Sequence, residues 1–120
     1  MQIEKAHESL RAAELCFGEK LYNSTANRAY YAMFQAAVVV LARAGIQPKG
    51  DQWSHENLQA AFATELIHRR KLYPRTISSF LPNGMRLRHQ ADYYERPVSE
   101  KRAREILQWA QEFLRLVEER

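Results

Sequence analysis

Residues 29–41 read AYYAMFQAAVVVL, and this stretch decides the fold. Gln35 is its only clearly polar side chain, so a helix built from it is apolar nearly all the way round. Such a helix needs cover on several sides, from its own bundle or from a second subunit. The uncharged run reaches from Ala29 to Ala42. That is the length of a buried helix and too short to cross a bilayer, which takes about 20 residues. Asn23 or Ser24 suits its start as an N-cap, and Gly45 suits its stop.

The flanking segments carry narrower apolar seams. Ile3, Ala6, Leu10, Ala13 and Phe17 recur at alternating spacings of three and four, and Gly18 follows as a stop. Ala103, Ile106, Ala110, Phe113 and Val117 repeat that rhythm near the other end, where Ser99 suits the N-cap and Pro97 holds the chain extended before it. Between them, IQPKGDQW at 46–53 reads as a loop, and Ser54 can cap a helix HENLQAAFATELIHRRK with Leu58, Phe62 and Leu66 on one face. Pro74 suits the first turn of a fourth helix, which Pro82-Asn83-Gly84 should kink or break before it resumes as MRLRHQADYY. No alternating strand pattern and no repeat occurs. The expectation is an all-α, up-and-down bundle of about five helices, one domain over residues 1–120.

Composition agrees with that. The chain has 120 residues, 46% apolar and 27% charged, with four Gly and four Pro, which excludes collagen-like, linker-like and disordered classes. One cysteine, Cys16, excludes an internal disulfide and suits a reducing compartment; the best fit for it is a buried small hydrophobe. The opening MQIEKAHESLRAAE has no apolar core of a secretory signal, so a soluble cytoplasmic protein without a membrane contact is expected. The net charge is +4, and its placement is uneven. Residues 1–67 hold six Lys/Arg against seven Asp/Glu, and residues 97–120 hold five against five. Residues 68–96 hold seven against two, with Tyr73, Tyr93 and Tyr94 nearby. Concentrated positive charge with aromatics is the footprint of a nucleic-acid contact, although a solvated basic face has the same composition.

Several chemistries are missing. There is no glycine-rich phosphate loop, no G-x-S-x-G and no second cysteine, and His7, His55, His68 and His89 lack metal-ligand spacing, so neither a metal nor a cofactor is expected. Two polar clusters interrupt the apolar helices. Asn27-Arg28 leads into Ala29-Tyr30-Tyr31, placing a charge at the opening of the most apolar helix. The second cluster runs from Arg86 to Tyr94. Arg88 and Asp92 stand at i, i+4 and invite an ion pair, while Arg86, His89 and Tyr93 form an adjacent stripe at i, i+3, i+7. A guanidinium, an imidazole and a phenol together have the groups RNA cleavage needs; a structural Arg–Asp bridge packed by a tyrosine needs the same spacing.

Asn27-Arg28-Ala29-Tyr30-Tyr31-Ala32-Met33-Phe34, followed by Ala36-Ala37, then Ser54-His55 leading to Phe62, then Leu87-Arg88 with Ala91-Asp92-Tyr93, resemble in order and spacing a HEPN domain (higher eukaryotes and prokaryotes nucleotide-binding) of the small stand-alone prokaryotic branch. The resemblance covers the whole chain. It implies an all-α bundle that forms a homodimer, often alongside a minimal nucleotidyltransferase partner in toxin–antitoxin pairs. In many members it also implies metal-independent RNA cleavage by an Arg, a polar residue directly after it, and a His a turn or more downstream. Here Arg88 matches the Arg and His89 the polar follower, but Tyr93 and Tyr94 stand where the His belongs. A tyrosine titrating near about 10 is a poor base at neutral pH.

The expected function is therefore a dimeric RNA- or nucleotide-binding module without the usual nuclease histidine. Arg28, Tyr31, His55, Arg86, Asp92 and Tyr94 are its candidate ligand contacts, and Arg28, His55, Arg88 and Asp92 a polar network fixing the bundle or a nucleotide-like ligand. The alternative is an endoribonuclease whose catalytic candidates are Arg88, His89 and Tyr93. A purely structural dimerisation module is the third reading. With a nucleotidyltransferase partner, Tyr93 or Tyr94 is also a candidate acceptor of a nucleotide.

Overall fold

The structure, a computed structural model describing residues 3–119, contains α1 (Ile3–Gly18), α2 (Tyr22–Arg43), α3 (His55–Ala61), α4 (Phe80–Tyr93) and α5 (Glu100–Glu118). This is the expected all-α bundle of five helices. The all-round apolar α2 is its axis, packed by α1, α4 and α5, with α3 beside it. Ala29, Tyr30, Ala32, Met33, Ala36, Ala37 and Leu41 lose all contact with solvent, while Tyr31, Phe34 and Val38 stay half-buried. Burying each large side chain of this set stabilises the fold by about 2 kcal/mol. The bundle thus supplies most of the cover this helix needs. The seams of α1 and α5 behave as their rhythm requires: Ala6 and Ala13 are buried from α1, and all five seam residues of α5 are buried. One polar pair sits between α1 and α2, where Ser9 Oγ and the Gln35 amide meet at 2.8 Å.

The serine caps form as read. Ser54 Oγ accepts from Asn57 N at 3.1 Å and Ser99 Oγ from Arg102 N at 3.2 Å. α2 differs: it starts at Tyr22, one residue before the expected caps, and its N-cap Leu21 offers no side-chain oxygen. Asn23 instead spends its Oδ1 on Val98 N at 2.9 Å, tying α2 to the segment before α5. Gly45 does end the helix, in the left-handed region at φ 79°.

Two further expectations are corrected. Pro74 does not open a long helix; it caps a single 3-10 turn, Arg75–Ile77. Pro82-Asn83-Gly84 neither kinks nor breaks α4, because α4 begins at Phe80 and places Pro82 in its first turn. The N–H that proline lacks has no intrahelical acceptor at that position, and the ladder starts one residue later with Asn83 N to Ser79 O at 2.9 Å. Gly84 follows as the point of closest approach to α2. A Cβ there would meet Met33 Cε at 2.9 Å and Tyr30 Cδ1 at 3.3 Å.

The irregularity lies one element earlier. α3 continues into a π-helical segment, Phe62–Arg69. The wider turn places both Leu66 and Ile67 in the core below Phe62, which a strict four-residue repeat would not do. These distortions leave α4 lying across the first half of α2, with the N-terminus of α3 alongside.

Candidate functional site

Arg88 projects from α4 onto α2. It is 8% exposed, and its Cζ lies 5.8 Å from the ring centroids of both Tyr30 and Tyr31. Spacing along each helix sets this up: Tyr30 and Tyr31 follow the first turns of α2, and Gly84, one turn before Arg88, lets the two backbones approach. Nη1 donates to Asp92 Oδ2 at 3.2 Å and Nη2 contacts Met85 Sδ at 3.3 Å, while the buried Nε has no partner. Burial works against the charge, but the Asp92 carboxylate and the two tyrosine hydroxyls outweigh it, so the guanidinium is held charged.

The contacts run on in both directions. Asp92 accepts from Asn27 Nδ2 at 3.2 Å on each oxygen. Asn27 Oδ1 in turn accepts from Arg28 Nε at 2.9 Å and Nη2 at 2.6 Å. Arg28 Cζ is 5.3 Å from the Tyr31 centroid, so two guanidinium groups contact that ring. A hollow of about 420 Å³ opens beside Asn27, Arg28 and Asp92, with half-buried Cys16 at its edge rather than in the core. On the other side, the Tyr30 hydroxyl meets His55 Nδ1 at 2.8 Å and accepts a long bond from Gln59 Nε2 at 3.5 Å. The His55 ring packs 5.0 Å from Phe34 and 5.5 Å from Tyr30, measured between centroids. Burial pushes the Tyr30 hydroxyl up to about 12.

For His55, burial first and the Arg88 charge second lower the imidazole pKa from its ordinary value. The unfolded chain then binds the proton more tightly than the fold does. Stability from this group is complete above about pH 6.5 and is lost as pH falls through the folded-state value. In His55→Gln, chemical denaturation at pH 7.5 and pH 5 should show a smaller loss on acidification than the wild type shows. An equal loss in both would assign the acid sensitivity to other groups.

His89 faces away from this network. Its ring lies on the surface 4.8 Å from Tyr93 and 5.7 Å from Tyr94, and the two tyrosines are 68% and 62% exposed. Arg86 joins neither group: it turns back to Asn83 on its own helix, beside a hollow shared with Arg102 and Trp109. The fold thus gathers Arg28, Tyr31, His55, Arg88 and Asp92 into one contiguous network. It sets His89, Tyr93 and Tyr94 in a second, exposed cluster, and leaves Arg86 apart. Of the Arg86–His89–Tyr93 stripe, His89 and Tyr93 are in ring contact and Arg86 shares the helical register alone. Asn27 and Tyr30 also belong to the network, and their signal in the sequence is their place beside Arg28 in the same motif. Among the described residues no three His, Cys, Asp or Glu side chains gather as metal ligands, and no helix is long and apolar enough to cross a membrane.

The HEPN domain family matches residues 1–120. Two relatives come from Methanocaldococcus jannaschii. The one named "Putative toxin MJ0605" is 31% identical over 115 residues, spanning 93% of this chain and 80% of the relative. The one named "Putative toxin MJ0142" is 31% identical over 91 residues, spanning 76% of this chain and 58% of the relative.

Proposed function

The chain belongs to the HEPN domain family, and from that premise we propose that it is the toxin-side component of a two-protein system, binding RNA or a nucleotide at the outer end of α4. It works as a homodimer beside a separately encoded nucleotidyltransferase acting as antitoxin, which would reach the exposed hydroxyls of Tyr93 and Tyr94. The observation that carries the binding reading is the cluster of His89 with two tyrosines more than 60% exposed, inside the basic stretch of the chain. Exposed rings cost solvation and recur where bases stack, each stacked base contributing about 1–3 kcal/mol. Arg88 is a positioning residue in this reading. Its guanidinium is turned inward to Asp92 and the α2 tyrosines, and so fixes the turn of α4 that presents the rings.

Fluorescence anisotropy with a short single-stranded RNA tests this. The wild type should bind in a salt-dependent way, and Tyr93→Ala with Tyr94→Ala should weaken binding at least tenfold at an unchanged melting temperature. Unaltered affinity in the double variant would remove the platform.

One observation favours the ribonuclease reading instead. His55, although far from Arg88 in sequence, is joined to it through Tyr30, and its lowered pKa keeps the imidazole neutral as a base must be. That reading predicts cleavage in chelator that both Arg88→Lys and His55→Gln abolish.

A further inference from the structure

Where the π-helical segment ends, Lys71 sits in the left-handed region at φ 53°. Arg70 N donates to Glu65 O at 3.0 Å and Leu72 N to Leu66 O at 2.8 Å, the return bonds of a helix-ending reversal. Glycine takes that position without steric cost, and lysine does not. Lys20, after α1, has the same backbone at φ 62°, so the conformation alone marks nothing. The surroundings of Lys71 do.

From residue 66 to residue 91 the chain contains no carboxylate. Within that stretch Arg69 is paired with Glu65 at 3.1 Å, Arg70 donates to Ala44 O at 3.2 Å, Arg86 is bonded to Asn83, and Arg88 belongs to the α2 network. His89 lies apart, beside Tyr93 and Tyr94, which leaves His68, Lys71 and Arg75 as the other basic side chains of the stretch. All three are exposed, and all three line one hollow of about 550 Å³ whose lining is completed by Ile67, Leu72, Tyr73 and Pro74. Among the described residues none of the three has an ion-pair partner. Two cations without an ion-pair partner and one imidazole therefore meet at this hollow, while Arg70 and Arg86, bonded to neutral oxygens, carry their charge elsewhere.

We propose that the hollow is a phosphate site, a second RNA subsite that shares no residue with the His89–Tyr93–Tyr94 platform. Two cations and an imidazole around one volume suit a compact anion with several acceptor oxygens, and the neighbouring Ile67, Leu72 and Tyr73 suit the sugar or base attached to it. Lysine at the reversal places one of these cations at the rim. The polymer rests on the RNA-binding reading above; the phosphate chemistry does not.

The test uses the full chain and the His68 ring Cε1–H signal in NMR spectra, titrated with inorganic phosphate and then with a 5′-phosphorylated RNA trinucleotide. The His68 signal should move saturably with both, more tightly with the trinucleotide. Lys71→Gly should weaken the phosphate response at least fivefold while melting no lower than the wild type, since glycine relieves the backbone. With longer RNA, Lys71→Gly combined with Arg75→Gln should lower the slope of log K against log salt by about 0.7 for each cation removed. A His68 signal that ignores phosphate, or responds equally in Lys71→Gly, overturns the proposal. So does a signal that moves with an oligo-glutamate peptide but not with phosphate, which would give the hollow to an acidic protein. If phosphate binds here but longer RNA is not held by the protein, the site stands and the RNA reading falls. If longer RNA is held with an unchanged salt slope in the double variant, the RNA reading stands and the hollow falls.

Discussion

Arg88→Ala should lower stability by about 2–3 kcal/mol, measured as a shift in the midpoint of urea unfolding with the slope unchanged. Three losses add up to this. Two ring contacts, at 5.8 Å each, disappear from a site where the guanidinium is 8% exposed, and desolvated cation–π contacts contribute about 1 kcal/mol or more. The side chain leaves a gap between α4 and α2 that collapses only in part. Asp92 loses its cation, but its side chain is 29% exposed and keeps Asn27, so water moderates that term. Arg88→Lys keeps the charge but not the planar group lying on the rings, and should cost about half as much. Because the Arg88–Asp92 contact is a coupled unit, Asp92→Asn in the Arg88→Ala background should be nearly silent, whereas in the wild type it strands a buried guanidinium. Equal effects of Asp92→Asn in the two backgrounds would remove the ion pair from the account.

Gly84→Val should be the other severe change, about 3 kcal/mol, by the same measurement. The first carbon alone would stand 2.9 Å from Met33 Cε and 3.3 Å from Tyr30 Cδ1, and both of those side chains are fully buried with nowhere to retreat. Two more carbons make the overlap worse, and overpacking of this kind costs about 1–3 kcal/mol or more. The damage should not stay local. Lifting α4 from α2 draws Arg88 off the tyrosine rings, so Gly84→Val should weaken RNA binding as well as the fold. Gly18 supplies the control, because a Cβ there meets nothing within 4 Å. Gly18→Ala should leave stability within about 0.5 kcal/mol. A mild Gly84→Val would mean that α4 can slide along α2, and the close approach would no longer explain why glycine stands there.

These two positions also show what the sequence could and could not reveal. α2 was readable because its signal is its own: an apolar ring of side chains around one helix needs no knowledge of its neighbours. The caps at Ser54 and Ser99 were readable for the same reason, since oxygen and N–H are three residues apart. Pro82 misled because its effect depends on where α4 begins, and that is decided by contacts distant in sequence, such as Phe80 stacked on Trp109 at 5.9 Å and Leu81 in the core. The same limit applies to the site. Arg88 and Asp92 meet as their four-residue spacing suggests, but the bond from Tyr30 to His55 joins residues 25 apart and no local pattern announces it. Arg86 and His89 had suitable spacing and still diverge, because Asn83 offers the guanidinium a nearer acceptor. The charge excess of residues 68–96 was plain in the composition. Its division into paired arginines and an open hollow at Lys71 depends on the π-helical turn, which periodicity did not disclose.

In the proposed function the outer end of α4 holds RNA without cutting it. The direct measurement is to incubate the full chain with labelled single-stranded RNA in EDTA at two salt concentrations, and to follow bound fraction and strand length in the same tubes. The expected result is RNA that is bound, released by salt and recovered intact. RNA shortened in chelator by the wild type and left whole by Arg88→Lys would contradict it, and would make His55 and Arg88 the centre of a nuclease.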